Sequence, residues 1–468
     1  MDPLAAVDKY LQTHQQDFRL ALEELLRIPS VSADSSHRAD VRRAAEWVAA
    51  KLRRDPLEVE LVETGGHPII FAQSPKVDGA PTVLVYGHYD VQPPDPLKEW
   101  KTPPFEPTER DGNLYARGAT DDKGQMLTHV FSTLAWLEVV GKLPLQLKFL
   151  IEGEEEVGSQ HLDDFIEASA KELACDVVVV SDTSQFAPGQ PAITYGLRGI
   201  AYYELRITGP KQDLHSGTFG GAVLNPANVL CKLLAALIDD QGRVQVPHFY
   251  DDMTRLDESE RKTLGELPFD ETKFKKQVGV DALGGEEGYS TLERRWVRPT
   301  FDINGLWSGY QGEGAKTILP ASAGAKFSFR LVPNQDPKKI SVELEKFLKA
   351  KAPQGVKLEL IDLHGAPGTV MSLEGPYVAA AVKAIEQAFG RKPVFMREGG
   401  SIPVVGSFRQ MLGVDTLLLG WGLDDDNTHG PNEKFSLADF QRGIRASAHL
   451  WHEMAAAGKQ PSKTKKTA

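Results

Sequence analysis

Three consecutive glutamates, Glu154, Glu155 and Glu156, closely follow the apolar run Leu147-Lys148-Phe149-Leu150-Ile151, after Glu152-Gly153. Like charges crowded at the end of a buried strand repel one another, and a cation removes the conflict. Four further segments offer a carboxylate or an imidazole where a strand should end: Gly87-His88-Tyr89-Asp90, Thr120-Asp121-Asp122-Lys123-Gly124, Ser181-Asp182-Thr183 and Asn427-Thr428-His429-Gly430. The runs Val83-Leu84-Val85-Tyr86 and Val177-Val178-Val179-Val180, which precede His88 and Asp182, also read as buried strands. In an open α/β sheet, ligands bind beyond the carboxyl ends of the strands. Acidic and imidazole donors gathered there suit a divalent metal. Taken singly, each of these residues is more often a turn or cap residue; the set carries the reading.

The elements that must position these groups fall into two rhythms. Apolar residues at helical spacing predict a helix over 4–27, stopped by Pro29, and another over 38–53. Strands are expected near 57–62, 68–73, 82–87, 145–151 and 176–181, with a helix over 123–140 between them. The same alternation resumes near 374–389 and 415–420 and closes with a helix over about 436–456. Between these parts lies a strand at 200–208, a helix at 226–238, strands at 301–307 and 325–332, a helix at 337–350 and a strand at 356–362. That β-α-β-β-α-β order is the ferredoxin-like unit. The fold expected is therefore an α/β domain, residues 1–193 and 369–457, interrupted by an inserted ferredoxin-like α+β domain over 194–368. Residues 241–300 lengthen one of its connections, and a segment that long is functional or carries helices of its own.

The 468 residues are too many for one compact core, which agrees with two domains. A net charge of −12 argues against nucleic acid and anionic membranes as partners. The one conspicuously basic segment, Lys459 to Lys466, belongs to an expected flexible tail over 458–468. Two cysteines, Cys175 and Cys231, make no disulfide framework. With no signal-like start and no membrane-length apolar run, they point to the cytoplasm.

Six stretches in one order resemble the M20 family of metallopeptidases, most of all its cytosolic dipeptidase and carnosinase branch. They are Gly-His-Tyr-Asp-Val-Gln-Pro (87–93), Tyr-Ala-Arg-Gly-Ala-Thr-Asp-Asp-Lys-Gly (115–124), Glu-Gly-Glu-Glu-Glu-Val-Gly-Ser (152–159), Asp-Leu-His-Ser-Gly-Thr-Phe-Gly-Gly (213–221), Phe-Ser-Phe-Arg-Leu-Val-Pro-Asn (327–334) and Arg-Glu-Gly-Gly-Ser-Ile-Pro (397–403). The resemblance implies a di-metal exopeptidase-like catalytic domain whose inserted domain serves as lid and dimerisation surface.

It also implies roles. Asp121 would bridge two divalent ions, His88 and Asp182 would complete one ligand set, and Glu156 and His429 the other. Zinc is expected, with manganese or cobalt as alternatives. Glu155 is the implied general base, by the family spacing Glu-Glu-Val-Gly-Ser. Asp90, two residues from His88, is either a turn residue or a carboxylate that orients the imidazole. Glu154 reads as a solvated or salt-bridged carboxylate. His215 is either a loop histidine or, as the family implies, an oxyanion donor acting in trans within a homodimer. Arg330 either pairs with a surface acid or clamps the substrate's terminal carboxylate, with Thr317, Gly400 and Ser401 at the same end of the substrate. The implied activity is hydrolysis of dipeptides, or of another small substrate, next to a free C-terminal carboxylate. An N-acyl-amino-acid deacylase and a non-catalytic relative are the alternatives.

Overall fold

The computed structural model describes residues 2–458. The expected tail lies outside the described residues except for Gly458, which ends the last helix, Leu437–Gly458. The chain divides into two compact units: Met1–Tyr195 with Met371–Met396 and Ser407–Ala468, and Gly196–Val370 with Arg397–Gly406. The second unit thus takes in Gly399-Gly400-Ser401.

In the first unit, Thr82–His88 is flanked on both sides by parallel partners, Gln146–Glu152 and Val177–Val180. Thr416–Leu418 adds a further parallel strand beyond Val177–Val180. Thr82–His88 is buried along its whole length and Val177–Val180 likewise, as continuous Val and Leu runs in a sheet covered on both faces should be. Ile69–Gln73 and Glu58–Val62 extend the other side with antiparallel pairing. Parallel alignment places His88, Glu152 and Val180 at one end of three neighbouring strands, so the segments that follow them emerge together.

Helix Lys123–Val140 packs against the closing helix Leu437–Gly458 and against Pro3–Thr13. Its first eleven residues are all buried, which explains a composition with no polar face. Gly141, at φ 74°, ends it in the left-handed conformation that a glycine adopts without steric cost. The helix expected over 4–27 is two helices, Pro3–Thr13 and Gln15–Leu26. His14 interrupts them with φ −111° and ψ 19°, and its Nδ1 lies 2.9 Å from the Tyr10 carbonyl oxygen. A side chain that engages the backbone in this way competes with continued helix.

The second unit holds a four-stranded antiparallel sheet in the order Thr300–Ser308, Ser322–Leu331, Gly199–Thr208, Lys357–Ala366. Helices Pro226–Ala235 and Pro337–Lys351 pack on it, completing the ferredoxin-like pattern. Both helices start alike. Asn225 and Asp336 cap the first turn with their side chains, and each is followed by a proline, whose missing N–H is no loss there. Tyr203, Leu205, Phe327, Phe329, Leu344 and Leu348 form the centre of this unit's core. The long connection carries three helices, Glu258–Gly265, Glu271–Val278 and Thr291–Trp296. It is braced by a buried fork in which Arg298 donates to both oxygens of Glu286 at 2.6 and 2.8 Å.

Candidate metal centre

The first unit brings the five expected ligands into two groups that share one residue: His88, Asp121 and Asp182, and Asp121, Glu156 and His429. Asp121 precedes helix Lys123–Val140, and its two oxygens face different imidazoles. Oδ1 lies 3.1 Å from His88 Nε2 and Oδ2 lies 3.0 Å from His429 Nε2. Glu156 Oε2 approaches the same His429 nitrogen at 3.3 Å. A carboxylate with two oxygens can join two ions in this way, whereas a neutral imidazole cannot.

Electrostatics show the cost of this arrangement. Burial, reinforced by neighbouring acids, raises the carboxyls of Asp122 and Asp182 well above the carboxylate range and pushes Glu155 up to about 8. Glu156 is raised for the same reasons. Hydrogen bonding to Asp121 and Glu156 raises His429 to about 11. Asp121 is itself lowered, because the neighbouring imidazoles His429 and His88 outweigh its burial. Repulsion among these buried acids is the condition that a cation placed between them relieves.

The donor set fits divalent ions. It consists of carboxylate oxygens and imidazole nitrogens, a combination suited to zinc, manganese and cobalt. His88 Nε2, fully buried, has no hydrogen-bond partner, although it stands 3.1 Å from Asp121 Oδ1. A buried ring nitrogen aimed at a carboxylate oxygen without hydrogen-bond geometry is what a shared cation would engage. The other ring nitrogen, Nδ1, lies 3.1 Å from the carbonyl oxygen of Asp90 and 3.4 Å from its carboxylate Oδ1. The backbone, rather than the Asp90 side chain, is the nearer partner. The Asp90 carboxylate instead accepts from Ser32 Oγ at 2.6 Å and from the Glu156 backbone N–H at 3.1 Å, which holds the ligand segment in place.

The glutamate triplet separates by environment. Glu154 is buried rather than solvated: its Oε2 lies 2.7 Å from His161 Nδ1 and its Oε1 accepts from the His67 backbone at 3.0 Å. Glu155 opens a short 3₁₀ turn, Glu155–Val157, and belongs to neither ligand group. Glu156 accepts from Gln92 Nε2 at 2.7 Å, a contact with no signal in the sequence reading.

The remaining expected residues lie in the second unit. His215 is exposed and pairs with Ile318 in a two-residue ladder. Ser216 N–H donates to the Thr317 carbonyl at 3.1 Å, so His215 and Thr317 are neighbours. The His215 Nδ1 accepts from Gly217 N–H at 3.0 Å. Arg330 donates to Ser401 Oγ at 2.9 Å, and that hydroxyl donates onward to the Arg198 carbonyl at 2.6 Å. Gly400 stands exposed beside Ser401. Arg198, unremarked in the sequence, donates to the Gly399 carbonyl at 3.1 Å. Burial, with the nearby Arg330 charge, lowers its guanidinium to about 9.

With this geometry in hand, similarity to known proteins is decisive. The profile of Peptidase family M20/M25/M40 matches residues 84–453. The chain belongs to this family. It is 34% identical to the Cys-Gly metallodipeptidase dug1 of Schizosaccharomyces pombe, over 94% of this chain and 96% of that one. It is 31% identical to the human Beta-Ala-His dipeptidase, over 97% of this chain and 93% of that one. The structure of the di-peptidase Dug1p from Saccharomyces cerevisiae superposes with a TM-score of 0.87 at 30% identity, covering 97% of this chain and 99% of the other. M20 metallopeptidases depend on metal, and the two ligand groups are this member's candidate site for it.

Proposed function

We propose that this chain is a di-metal dipeptidase that hydrolyses the peptide bond next to a free C-terminal carboxylate. The observation that carries the reading is Asp121, whose two oxygens each face a different imidazole at 3.0–3.1 Å. The names of the fission-yeast and human relatives, both dipeptidases, support the substrate class. His88, Asp121 and Asp182 would hold one ion, and Asp121, Glu156 and His429 the other. Zinc is the expected metal. Ions so bound would polarise the scissile carbonyl and acidify the attacking water.

The chain's own groups do the rest. Glu155 takes the proton from water and returns it to the leaving amine, a role for a carboxylate that stays out of the ligand sets. Asp90 and Gln92 hold the Glu156 segment through its backbone N–H and its carboxylate. Arg330, oriented by Ser401, receives the substrate's carboxylate, with Gly400 and Thr317 as further donors at that end. His215 of the partner subunit supplies a donor to the developing oxyanion in a homodimer. Among the described residues no helix is long and apolar enough to cross a membrane. The cytoplasm is the proposed location, and small peptides are the proposed partners.

The test is metal content against activity. Chelation abolishes dipeptide hydrolysis and re-metallation restores it, while Asp121→Ala loses both equivalents of metal. Two equivalents retained by that variant would end the bridging assignment.

A further inference from the structure

We infer that Glu433 is a positioning residue that sets the bridging carboxylate and His429 at their working separation. The inference rests on the reading of Asp121 as the bridging ligand. Glu433 is wholly buried, and an ionised carboxylate in the interior must find a full set of donors. It finds all of them on one loop. Oε2 accepts from Arg117 Nη1 at 2.7 Å and from Gly118 N–H at 2.9 Å, and Oε1 accepts from Thr120 N–H at 3.0 Å and Asp121 N–H at 3.2 Å. The backbone carbonyl of Glu433 accepts a further bond, at 3.1 Å, from Ala116 N–H. Gly118, at φ 82°, takes a conformation that a side chain would strain.

The same carboxylate closes the loop that carries His429. Within six residues Asn427, His429 and Asn432 have φ of 56°, 63° and 61°. Such conformations in non-glycine residues persist only where the surroundings determine them. Here the loop is fixed at both ends. Asp426 accepts from Thr120 Oγ1 at 3.1 Å and pairs with Lys434 at 2.6 Å, while Glu433 binds Gly118, Thr120 and Asp121. Two acids thus tie the His429 loop to the Asp121 loop, and the 3.0 Å approach of His429 Nε2 to Asp121 Oδ2 is the outcome. Glu433 belongs to neither ligand group, and both its oxygens are engaged, so it acts through Asp121 and His429 rather than on an ion.

Cobalt(II) titration of the metal-free protein, followed by visible absorption, tests this alongside thermal unfolding of the same samples. Three variants are compared with the parent: Asp121→Ala, Glu433→Gln and Glu433→Asp. Glutamine turns an NH₂ toward peptide N–H groups; aspartate keeps the charge but withdraws the carboxylate by one methylene. The expected result is loss of cobalt in Asp121→Ala and about 10- to 100-fold weaker cobalt binding, with an altered spectrum, in Glu433→Gln. Glu433→Asp weakens cobalt in the same direction and decides the matter where Glu433→Gln does not fold. If Asp121→Ala loses cobalt while the folded Glu433 variants keep parental affinity and spectrum, Glu433 serves the fold alone and the inference is overturned. If Asp121→Ala binds cobalt like the parent, the ligand reading itself fails and takes this inference with it.

Discussion

Replacing Glu155 and Glu156 one at a time by glutamine separates base from ligand. The two residues are adjacent, but only Glu156 approaches a ligand imidazole, at 3.3 Å, and is held by Gln92. Glu156→Gln removes the charge from one ligand group and leaves His88, Asp121 and Asp182 intact. The protein should then retain one equivalent of metal firmly and lose the other on dialysis. Glu155→Gln leaves both groups whole and should retain two equivalents. Its loss is in kcat: a positioned general base contributes about 10²–10⁴-fold, or about 3–5 kcal/mol of barrier at ~1.4 kcal/mol per decade. KM should change little, because water rather than substrate is the base's partner. The pH profile adds a sign. Without cations, burial and the neighbouring acids Glu156 and Asp121 push Glu155 up to about 8. Bound cations favour the ionised form, so the acid limb of kcat should lie below that value and activity should fall as pH drops through it. Metal analysis after dialysis and initial rates on a dipeptide suffice. If Glu155→Gln loses metal as Glu156→Gln does, or keeps activity within tenfold of the parent, the assignment within the triplet is wrong.

Three further outcomes follow from other parts of the molecule. Arg330→Ala should raise KM for free dipeptides by about 30-fold or more, since a lost charge-assisted pair costs about 2–5 kcal/mol, while the already poor hydrolysis of dipeptide amides should barely change. An equal loss on both substrates would make Arg330 a structural residue. Mixing inactive His215→Ala with inactive Glu155→Gln subunits should restore up to about a quarter of parental activity, because half the dimers are mixed and each mixed dimer has one intact site; demonstrated subunit exchange without recovery would exclude action in trans. His129 lies between Ser181 Oγ at 2.8 Å and Ser447 Oγ at 3.0 Å, and burial lowers its imidazole to about 3. Its folded value is below the unfolded one, so its stabilising contribution is complete above about pH 6.5 and is lost as pH falls toward 3. Urea unfolding of metal-free protein should show His129→Gln losing about 2–3 kcal/mol less than the parent between pH 7 and 4.5; parallel losses would contradict this.

How much of this was legible in the sequence depends on how local the determining interaction is. Helix Lys123–Val140 could be bounded to the residue because its buried composition lies within it and Gly141 directly follows it. The candidate ligands were legible because they lie inside motifs of a few residues, with His88 ending a strand and Asp182 just beyond one, and because those motifs resemble the family's. The break at His14 was not, since the apolar spacing continues through it and the first helix ends where the Thr13 and His14 side chains engage the Tyr10 carbonyl. Strand Ala192–Leu197 was missed: its run is short and contains Gly196, and its partner Thr416–Leu418 is remote in sequence. Glu433 gave no signal at all. In Pro-Asn-Glu-Lys it reads as a solvated turn acid, and its burial is set by the Arg117–Asp121 loop more than three hundred residues earlier.

The acids at the sheet ends also explain why the two ligand groups differ in surroundings. His88 is fully buried between Asp121 and Asp90, whereas the His429 side chain is 56% exposed. A buried imidazole cannot gain or lose a proton without a desolvation cost, and Asp182 beside it is already pushed toward its neutral form by burial and by Asp121 and Asp122. The His429 imidazole is more open to water, and its hydrogen bonding to Asp121 and Glu156 raises it to about 11. His88 and Asp182 of the buried group lie at or just beyond strand ends, where their geometry follows from the sheet. The exposed group depends on a loop with three left-handed non-glycine residues, whose geometry must be imposed from outside. Asp426 and Glu433 impose it, and both reach the Asp121 loop that the two groups share. One carboxylate common to both groups then transmits the precision of the sheet to a half of the site that the sheet does not carry.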